Sequence, residues 1–283
     1  MTNYFVIAVV VLVFIALIAS IILYAASKKF AVKEDPRILQ VQALLPGANC
    51  GGCGFAGCSG MAEALVKGAD AGTIEGLKCP VGRNGVMSQI ADMLGVSLAQ
   101  SESMIAVVRC NGTCMLRPQV ALYDGLHTCA AMNAASMGES GCGYGCLGCG
   151  DCTEACQFDA LHLNSETGLP EVDEKKCTSC GACVKACPRH IIELRKKGPK
   201  GHRVYVCCMN KDKGNIARKA CNAACIGCGK CEKVCEFEAI TVADNLAYID
   251  YDKCSMCTKC VDECPSGAIV KVNFPIYKKE AKV

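Results

Sequence analysis

The longest apolar stretch of the chain lies at its N-terminal end. Residues 1–27 contain no charged side chain, and the run from Phe5 to Ala26 is apolar at almost every position. A helix rises about 1.5 Å per residue, so this run is long enough to cross a hydrocarbon core of about 30 Å. A cleaved signal peptide would begin with positive charges and have a shorter apolar run. The pattern therefore favours an uncleaved transmembrane anchor over residues 1–27.

Basic residues follow the apolar run directly, at Lys28, Lys29, Lys33 and Arg37. Segments rich in Lys and Arg stay on the cytoplasmic side of a membrane. This predicts a single-pass protein of the cell membrane whose soluble part lies in the cytoplasm. Because disulfides are disfavoured there, cysteine clusters in the soluble part favour metal sites.

Beyond the anchor, the clearest apolar runs are only four or five residues long. They pair around turn residues, ALHL with LPEV and then AITV with LAYID. Such pairs predict small antiparallel hairpins, and two further runs, IIEL and AIVKV, are expected to be the matching return strands. Short helices between these strands would complete an α+β fold.

Cysteine dominates the composition. Of 283 residues, 27 are cysteine, whereas aromatic residues make up 5% and tryptophan is absent. The four histidines leave little material for acid–base catalysis near neutral pH, and no catalytic residue is predicted. The net charge of +3 is too small to indicate a protein that binds nucleic acid.

Sixteen of the cysteines form four runs of the pattern C-x2-C-x2-C-x3-C, arranged as one pair of runs and its repeat. This is the run of bacterial [4Fe–4S] ferredoxins, in which the fourth cysteine ligates the other cluster of the pair. The predicted ligand sets are Cys146, Cys149, Cys152 and Cys187; Cys177, Cys180, Cys183 and Cys156; Cys225, Cys228, Cys231 and Cys264; and Cys254, Cys257, Cys260 and Cys235.

Zinc is the alternative occupant of these sites. Structural zinc sites use paired C-x2-C knuckles with four ligands for each ion. Three evenly spaced cysteines with a distant fourth, repeated four times, do not fit that arrangement. The pattern therefore indicates two tandem modules with two clusters each.

A different cysteine pattern opens the soluble part. The segment NCGGCGFAGC, followed later by Lys78-Cys79-Pro80, gives the spacing C-x2-C-x4-C-x20-C. Glycines let the backbone fold tightly around a cluster and direct N–H groups at its sulfurs. A short helix is expected from Ser59 to Lys67, with Gly68 as its stop. The predicted ligands of this fifth cluster are Cys50, Cys53, Cys58 and Cys79.

Seven cysteines remain outside these sets: Cys110, Cys114, Cys129, Cys142, Cys207, Cys208 and Cys221. Cys142 and Cys221 each precede a ferredoxin run by four residues, and Cys110 and Cys208 each follow a β-rich stretch, which indicates duplicated positions. One interpretation is a group of buried, inert thiols. The other is a sixth cluster on Cys110, Cys114, Cys129 and Cys142.

Two further patterns bear on binding. The G-x-G-x-x-G matches at residues 52–57 and 143–148 overlap cysteine runs and lack a βαβ context, so no direct NAD binding is predicted. The basic run from Arg195 to Arg203, RKKGPKGHR, is either a solvated linker or a docking patch for an acidic ferredoxin. Once its clusters and thiolates are counted, the holoprotein is acidic.

With the anchor, the LPGANCGGCGFAGC…KCPVG segment and the two ferredoxin modules, the chain resembles the B subunit of the Rnf ion-translocating ferredoxin:NAD oxidoreductase. The resemblance implies a subunit of an oxidoreductase complex that moves Na⁺ or H⁺. It implies that soluble reduced ferredoxin delivers electrons to this chain, and that other membrane subunits accept them and reduce NAD. A different membrane reductase or dehydrogenase is the alternative, and a non-catalytic redox sensor is a third hypothesis.

The sequence thus predicts [4Fe–4S] clusters as cofactors, five in number with a sixth possible. The predicted division of the chain is: anchor 1–27, N-terminal 4Fe–4S domain 28–95, connecting segment 96–140, first module 141–200, linker 201–218 and second module 219–283.

Overall fold

The computed structural model describes residues 2–29, 35–97 and 103–275. Helix α1 runs from Thr2 to Lys29, and within the described residues it is the one helix long and apolar enough to cross a membrane, over Val10–Lys29. Its large side chains are exposed, with Phe14 at 65% and Leu23 at 69%. An apolar helix with its described large side chains exposed, packed on no other described part of the protein, is what a lipid environment requires. Lys33, one of the predicted flanking charges, lies outside the described residues, as do residues 98–102 and 276–283.

Three helices form the N-terminal unit of the soluble part: α2 (Pro36–Leu44), α3 (Gly57–Asp70) and α4 (Arg83–Leu94). Asp35 caps α2 by accepting the N–H of Arg37 at 2.9 Å, and proline suits the first helical position. The helices bury one core that includes Met61, Leu65 and Ile90. Helix α3 continues past the predicted stop at Gly68 because its last turn packs against the loop that follows.

The first module contains four strands and three short helices. Its elements are β1 (Met104–Val108), α5 (Cys129–Ala135), α6 (Asp151–Glu154), β2 (Leu161–Asn164), β3 (Leu169–Val172), α7 (Ala182–Ala186) and β4 (Ile192–Lys196). Strands β2 and β3 form the predicted antiparallel hairpin. Strand β4 pairs with β1, which lies in residues 96–140, the segment predicted to be a connection.

The second module repeats this order: β5 (Arg203–Val206), α8 (Gly214–Ala220), α9 (Lys230–Lys233), β6 (Ile240–Ala243), β7 (Leu246–Ile249), α10 (Lys259–Asp262) and β8 (Ile269–Val272). Hairpin β6–β7 again agrees with the prediction, and β8 pairs with β5. Each of the two return strands therefore pairs with a strand from a segment predicted to be a connection. Residues 201–218, predicted as a linker, contain a fully buried strand and most of a helix, because β8 needs a partner for its backbone groups.

The basic run from Arg195 to Arg203 connects β4 to β5, and both of its ends are buried where the modules meet, so it is not a fully solvated linker or a free surface patch. Arg195 is 2% exposed and Arg203 is 5% exposed. Arg203 pairs with Glu174, and Lys196 pairs with Asp252 of the second module. The charges of this run are therefore largely engaged in holding the two modules together.

Glu193 balances two of the buried charges at this junction. Its carboxylate accepts from the guanidinium of Arg195 and lies 3.3 Å from Nη1 of Arg109, which is 5% exposed. The Arg195 guanidinium also lies over the rings of Tyr205 and Tyr248, at 5.6 and 5.2 Å. Two positive charges away from water need the one carboxylate between them.

Replacing Glu193 with glutamine is expected to lower the free energy of unfolding by about 3 kcal/mol, because two buried guanidinium groups lose their counter-charge. The measurement is the guanidinium concentration that removes half of the cluster absorbance of the anaerobic full chain. Glu63→Gln, on the exposed face of α3, is the matched control and should leave the midpoint unchanged. Equal midpoints for both variants would contradict the assigned role of Glu193.

Candidate iron–sulfur centres

In the first module, cysteines from both ferredoxin runs meet around shared cavities. One cavity is lined by Cys156, the last cysteine of the first run, together with Cys177, Cys180 and Cys183 of the second run. The crossed arrangement arises because α6 carries the chain away from the first three cysteines before the run ends. These four residues are the second predicted ligand set.

The second module contains two such cavities. One is lined by Cys225, Cys228, Cys231 and Cys264, and the other by Cys235, Cys254, Cys257 and Cys260. Both are complete predicted sets, and each again takes its fourth cysteine from the other run. Cys228 and Cys257 are exposed, whereas the other ligands predicted for this module are buried or half-buried.

Another cavity of the first module has a different lining. It is bordered by Cys146, Cys152 and Cys187, and also by Cys129. The thiol of Cys149 lies close enough to that of Cys129 to raise the pKa of Cys149, after the larger effect of burial. The sequence pattern did not place Cys129 here, because it lies well outside the run. Asp151 fixes its position by accepting the Cys129 N–H at 2.6 Å.

A left-handed residue follows the second cysteine of each run and begins the helix that carries the third. Gly150 occupies this position before α6, with φ 94°. Thr258 occupies it before α10, with φ 64°. Glycine adopts this conformation without steric cost, whereas threonine does so with strain. The sharp turn keeps the second and third cysteines facing the same cavity.

Backbone N–H groups point at several of the sulfurs. Ala160 donates to Cys156 Sγ, Met256 to Cys254 Sγ and Gly82 to Cys79 Sγ, each at 3.4 Å. Such bonds favour negatively charged sulfur and raise the reduction potential of a bound cluster. The cavities therefore supply thiols together with donors that stabilise thiolates.

As free thiols, the buried cysteines resist ionisation. Burial raises the pKa of Cys152 and of Cys260 to about 12, and neighbouring cysteines contribute to the rise. These groups would keep their protons at neutral pH unless a metal displaced them. Iron binding would therefore release protons and convert an unfavourable set of buried thiols into ligands.

The N-terminal set lies at one end of the three-helix unit. Cys79 is buried in its core, with Cys53 and Cys58 packed against the same cluster of side chains. Burial raises the pKa of Cys79, and the charges of Cys53 and Cys58 add to the effect. Asn49 orders the loop by accepting the N–H of Cys58 at 2.8 Å. Cys50 is half-buried in this loop.

The loop of the N-terminal set packs directly on a cysteine loop of the first module. A methyl group placed on Gly52 would lie 2.8 Å from the carbonyl oxygen of Cys180 and 3.0 Å from its Cβ. Arg83 donates from Nη2 to the carbonyl oxygen of Cys177 at 3.1 Å. Only glycine allows this approach, which brings the fifth set next to the set of Cys177, Cys180 and Cys183.

Three of the seven other cysteines, Cys114, Cys129 and Cys207, lie in separate surroundings. Cys114 is exposed and its thiol donates to the carbonyl of Thr167 at 3.5 Å. Cys207 is buried and its thiol donates to the carbonyl of Val108 at 3.4 Å. Since Cys129 lies beside Cys149, the structure does not bring together Cys110, Cys114, Cys129 and Cys142, the extra set that the sequence had suggested.

The cysteines of the predicted ligand sets line cavities instead of converging on a single point. In the residues that the structure describes, no three Cys, His, Asp or Glu side chains are placed as ligands of one metal ion. Cysteines spread around a cavity, with N–H groups directed at sulfur, fit a group larger than a single ion. A [4Fe–4S] cube satisfies both features of these cavities.

Family models match three parts of the chain. An Fe–S cluster model matches residues 45–73, and two models described as 4Fe–4S dicluster domains match residues 145–192 and 224–268. These matches correspond to the three cysteine-rich units described above. They support iron–sulfur clusters as the cofactors, while the number of clusters remains a prediction.

Curated relatives match nearly the whole chain, and three of them are B subunits of ion-translocating oxidoreductase complexes. The chain is 47% identical to that of the Na⁺-translocating ferredoxin:NAD⁺ oxidoreductase complex of Acetobacterium woodii, over 95% of this chain and 78% of that protein. It is 42% identical to that of the ion-translocating oxidoreductase complex of Methanosarcina acetivorans, over 95% and 99%. It is 41% identical to that of the proton-translocating ferredoxin:NAD⁺ oxidoreductase complex of Clostridium ljungdahlii, over 94% and 92%.

Proposed function

Because this chain belongs to the family of B subunits of ion-translocating ferredoxin:NAD oxidoreductase complexes, we propose that it carries electrons from reduced ferredoxin to the other membrane subunits of such a complex. Family membership favours this function over that of an iron–sulfur subunit of another reductase or dehydrogenase. The relative from Methanosarcina acetivorans is matched over 95% of this chain and 99% of its own length. A redox sensor would not need so many separate cysteine cavities.

The five predicted sets hold the clusters in this proposal. Each [4Fe–4S] cluster, when bound, takes up and releases one electron at a time without making or breaking a substrate bond. The residues of the chain supply thiolate ligands, direct N–H groups at them and exclude water from the cavities. The ligands are Cys50, Cys53, Cys58, Cys79, Cys146, Cys149, Cys152, Cys187, Cys177, Cys180, Cys183, Cys156, Cys225, Cys228, Cys231, Cys264, Cys254, Cys257, Cys260 and Cys235.

Exposure supports a direction for the electron path. Among the ligands of the proposal, the exposed ones are Cys228 and Cys257, both in the second module. Electron transfer from a soluble donor needs a cluster close to the surface, so electrons enter here. The N-terminal set follows α1 most closely in the sequence and contacts the first module through Gly52. Electrons therefore leave toward the membrane partners from the N-terminal cluster.

The anchor sets the side of the membrane. Lys28 and Lys29 form the last turn of α1, and basic residues flank the cytoplasmic end of a membrane helix. The soluble part then lies in the cytoplasm, where ferredoxin and NAD are found. In this arrangement NAD is reduced on another subunit, and this chain does not bind it.

Rapid mixing of the anaerobic chain with reduced ferredoxin tests the direction. Cys257→Ala removes an exposed ligand and is expected to slow the first phase of cluster reduction. Cys53→Ala should leave that phase intact but abolish ferredoxin-dependent NAD reduction in membranes that contain all subunits. Cys114→Ala removes an exposed thiol outside the sets and serves as the control.

If Cys257→Ala is reduced at the rate of the unmodified chain while Cys53→Ala is not, electrons enter at the N-terminal cluster and the proposed direction is wrong. If none of the clusters is reduced by ferredoxin, the donor itself is misassigned. Iron content is measured for each variant, so that loss of one cluster is separated from general loss of all of them.

A further inference from the structure

Four cysteines that the five sets leave unused gather at the junction of the two modules. The sulfur of Cys110 is central to this group. A methyl group on Gly145 would lie 3.4 Å from Cys142 Sγ and 3.7 Å from Cys110 Sγ. A methyl group on Gly112 would lie 3.2 Å from Cys221 Sγ and 3.6 Å from Cys110 Sγ. The sulfur of Cys110 therefore lies near that of Cys142 and also near that of Cys221.

Asn210 connects the fourth cysteine to this group. Its backbone N–H donates to Cys208 Sγ at 3.4 Å, and its side-chain Nδ2 donates to Cys142 Sγ at 3.5 Å. Asn210 is 1% exposed, so both of these donors are directed at sulfur away from bulk water. Cys142, Cys208 and Cys221 are buried, and Cys110 is half-buried.

The group follows the internal duplication of the chain. Each module contributes one cysteine just after its first strand, Cys110 or Cys208, and one cysteine four residues before its first ferredoxin run, Cys142 or Cys221. The hydrogen bonds repeat as well. Cys146 donates its N–H to Cys110 Sγ at 3.4 Å, and its counterpart Cys225 donates to Cys208 Sγ at 3.3 Å.

Positive groups surround the site. Arg189 donates from Nη1 to the carbonyl oxygens of Cys142 and Gly145, at 3.1 and 2.7 Å. Arg109 donates from Nη2 to the carbonyl oxygen of Cys208 at 3.4 Å. The guanidinium groups of the half-buried Arg189 and the buried Arg109 favour a negatively charged occupant over four neutral thiols.

We propose that Cys110, Cys142, Cys208 and Cys221 hold a sixth [4Fe–4S] cluster between the modules. The four thiols come from two equivalent pairs, one in each copy of the duplicated module. Backbone or side-chain N–H groups point at three of the four sulfurs. A zinc ion is the competing occupant of four cysteines, but the pattern of N–H groups matches that at the sulfurs of the other sets.

The position also gives this site a role, which rests on the proposed function. Cys146 and Cys225 are the proposed ligands of the first cluster in each module, and both donate an N–H to a proposed ligand of the sixth site. The sixth cluster therefore lies between those two clusters. When bound by these four cysteines, a cluster here would allow single electrons to pass from the cluster of the Cys225 set to that of the Cys146 set, with no proton transferred.

Native mass spectrometry of the anaerobically purified full chain counts the clusters directly, and elemental analysis identifies the metal. Six clusters, about 24 iron atoms per chain, and no zinc are expected. Cys208→Ala should lose about four of these iron atoms, whereas its neighbour Cys207→Ala should lose none, since the Cys207 thiol donates to Val108 of the first module. Asn210→Ala removes one donor to sulfur without removing a ligand, and should keep six clusters while shifting the spectrum of one.

A wild-type count of five clusters overturns the proposal, as does one zinc ion beside five clusters. The wild-type count stands even if Cys208→Ala fails to fold. Equal iron loss from Cys207→Ala and Cys208→Ala would overturn the ligand assignment. None of these measurements uses ferredoxin, so they are independent of the direction of electron flow.

Discussion

Removal of the iron from the purified chain is expected to unfold both two-cluster modules. Helices α6, α7, α9 and α10 are four or five residues long, far below the length at which a helix is stable alone. Each sheet has two strands, and an isolated pair of strands is marginal in water. Cysteines of the cavities make up part of the buried core of each module, so the other core side chains need the clusters to pack against.

The N-terminal unit provides an internal comparison for this experiment. Helices α3 and α4 are 14 and 12 residues long, and they bury Met61, Leu65 and Ile90 among themselves. After anaerobic chelation we expect loss of strand signal in far-ultraviolet circular dichroism. Limited proteolysis should cut within residues 141–275 before it cuts within residues 57–94.

Circular dichroism is the suitable probe because the chain contains no tryptophan. Readdition of iron and sulfide under reducing conditions serves as the control, since refolding shows that chelation caused no covalent damage. Modules that resist protease equally well with and without iron would show that the protein core holds them together unaided. In that case the role of the clusters would be limited to electron transfer.

The parts of the fold that could be predicted from the sequence are those with local causes. A ferredoxin run places three thiolates within seven residues, so the spacing alone indicates a common cavity. The hairpins β2–β3 and β6–β7 likewise need only a turn between two short apolar runs. The exchange of the fourth cysteine between the two runs of a module could be inferred as well, because it is a property of this cysteine spacing in bacterial ferredoxins.

The features that could not be predicted depend on contacts between distant segments. Strand β4 could not be paired with β1 from its pattern, since both are short apolar runs with many possible partners. Charge is equally uninformative about burial: Arg195 looks like part of a solvated basic run, yet it is buried because Glu193 and three tyrosine rings surround it.

The proposed sixth site could be predicted from the sequence in part, but not as a whole. Its cysteines were visible as duplicated positions before the ferredoxin runs and after the first strands. Their grouping was not, because Cys110 and Cys208 come together only when the two modules pack on each other. A duplication that leaves one unassigned pair of thiols in each copy is therefore a signal for a shared site at the junction of the copies.

Deleting residues 1–29 is expected to convert the chain into a soluble iron–sulfur protein. Apolar residues of α1 contribute about 0.3–0.6 kcal/mol each to membrane insertion, which over Val10–Lys29 amounts to several kcal/mol. The remaining unit from Asp35 onward has its own cores and does not need the anchor to fold. Its iron content should therefore equal that of the full chain.

The experiment requires a host that lacks the other subunits of the complex, because they could retain the truncated chain on the membrane. After cell lysis and ultracentrifugation, the full chain should be found with the membranes and the truncated chain in the supernatant. A variant in which an unrelated single-pass helix replaces α1 is the control and should return to the membrane. A truncated chain that stays with the membranes of this host would show that the soluble part binds lipid by itself. Retention only when the other subunits are present would show instead that contacts with them hold the chain in place after the anchor is lost.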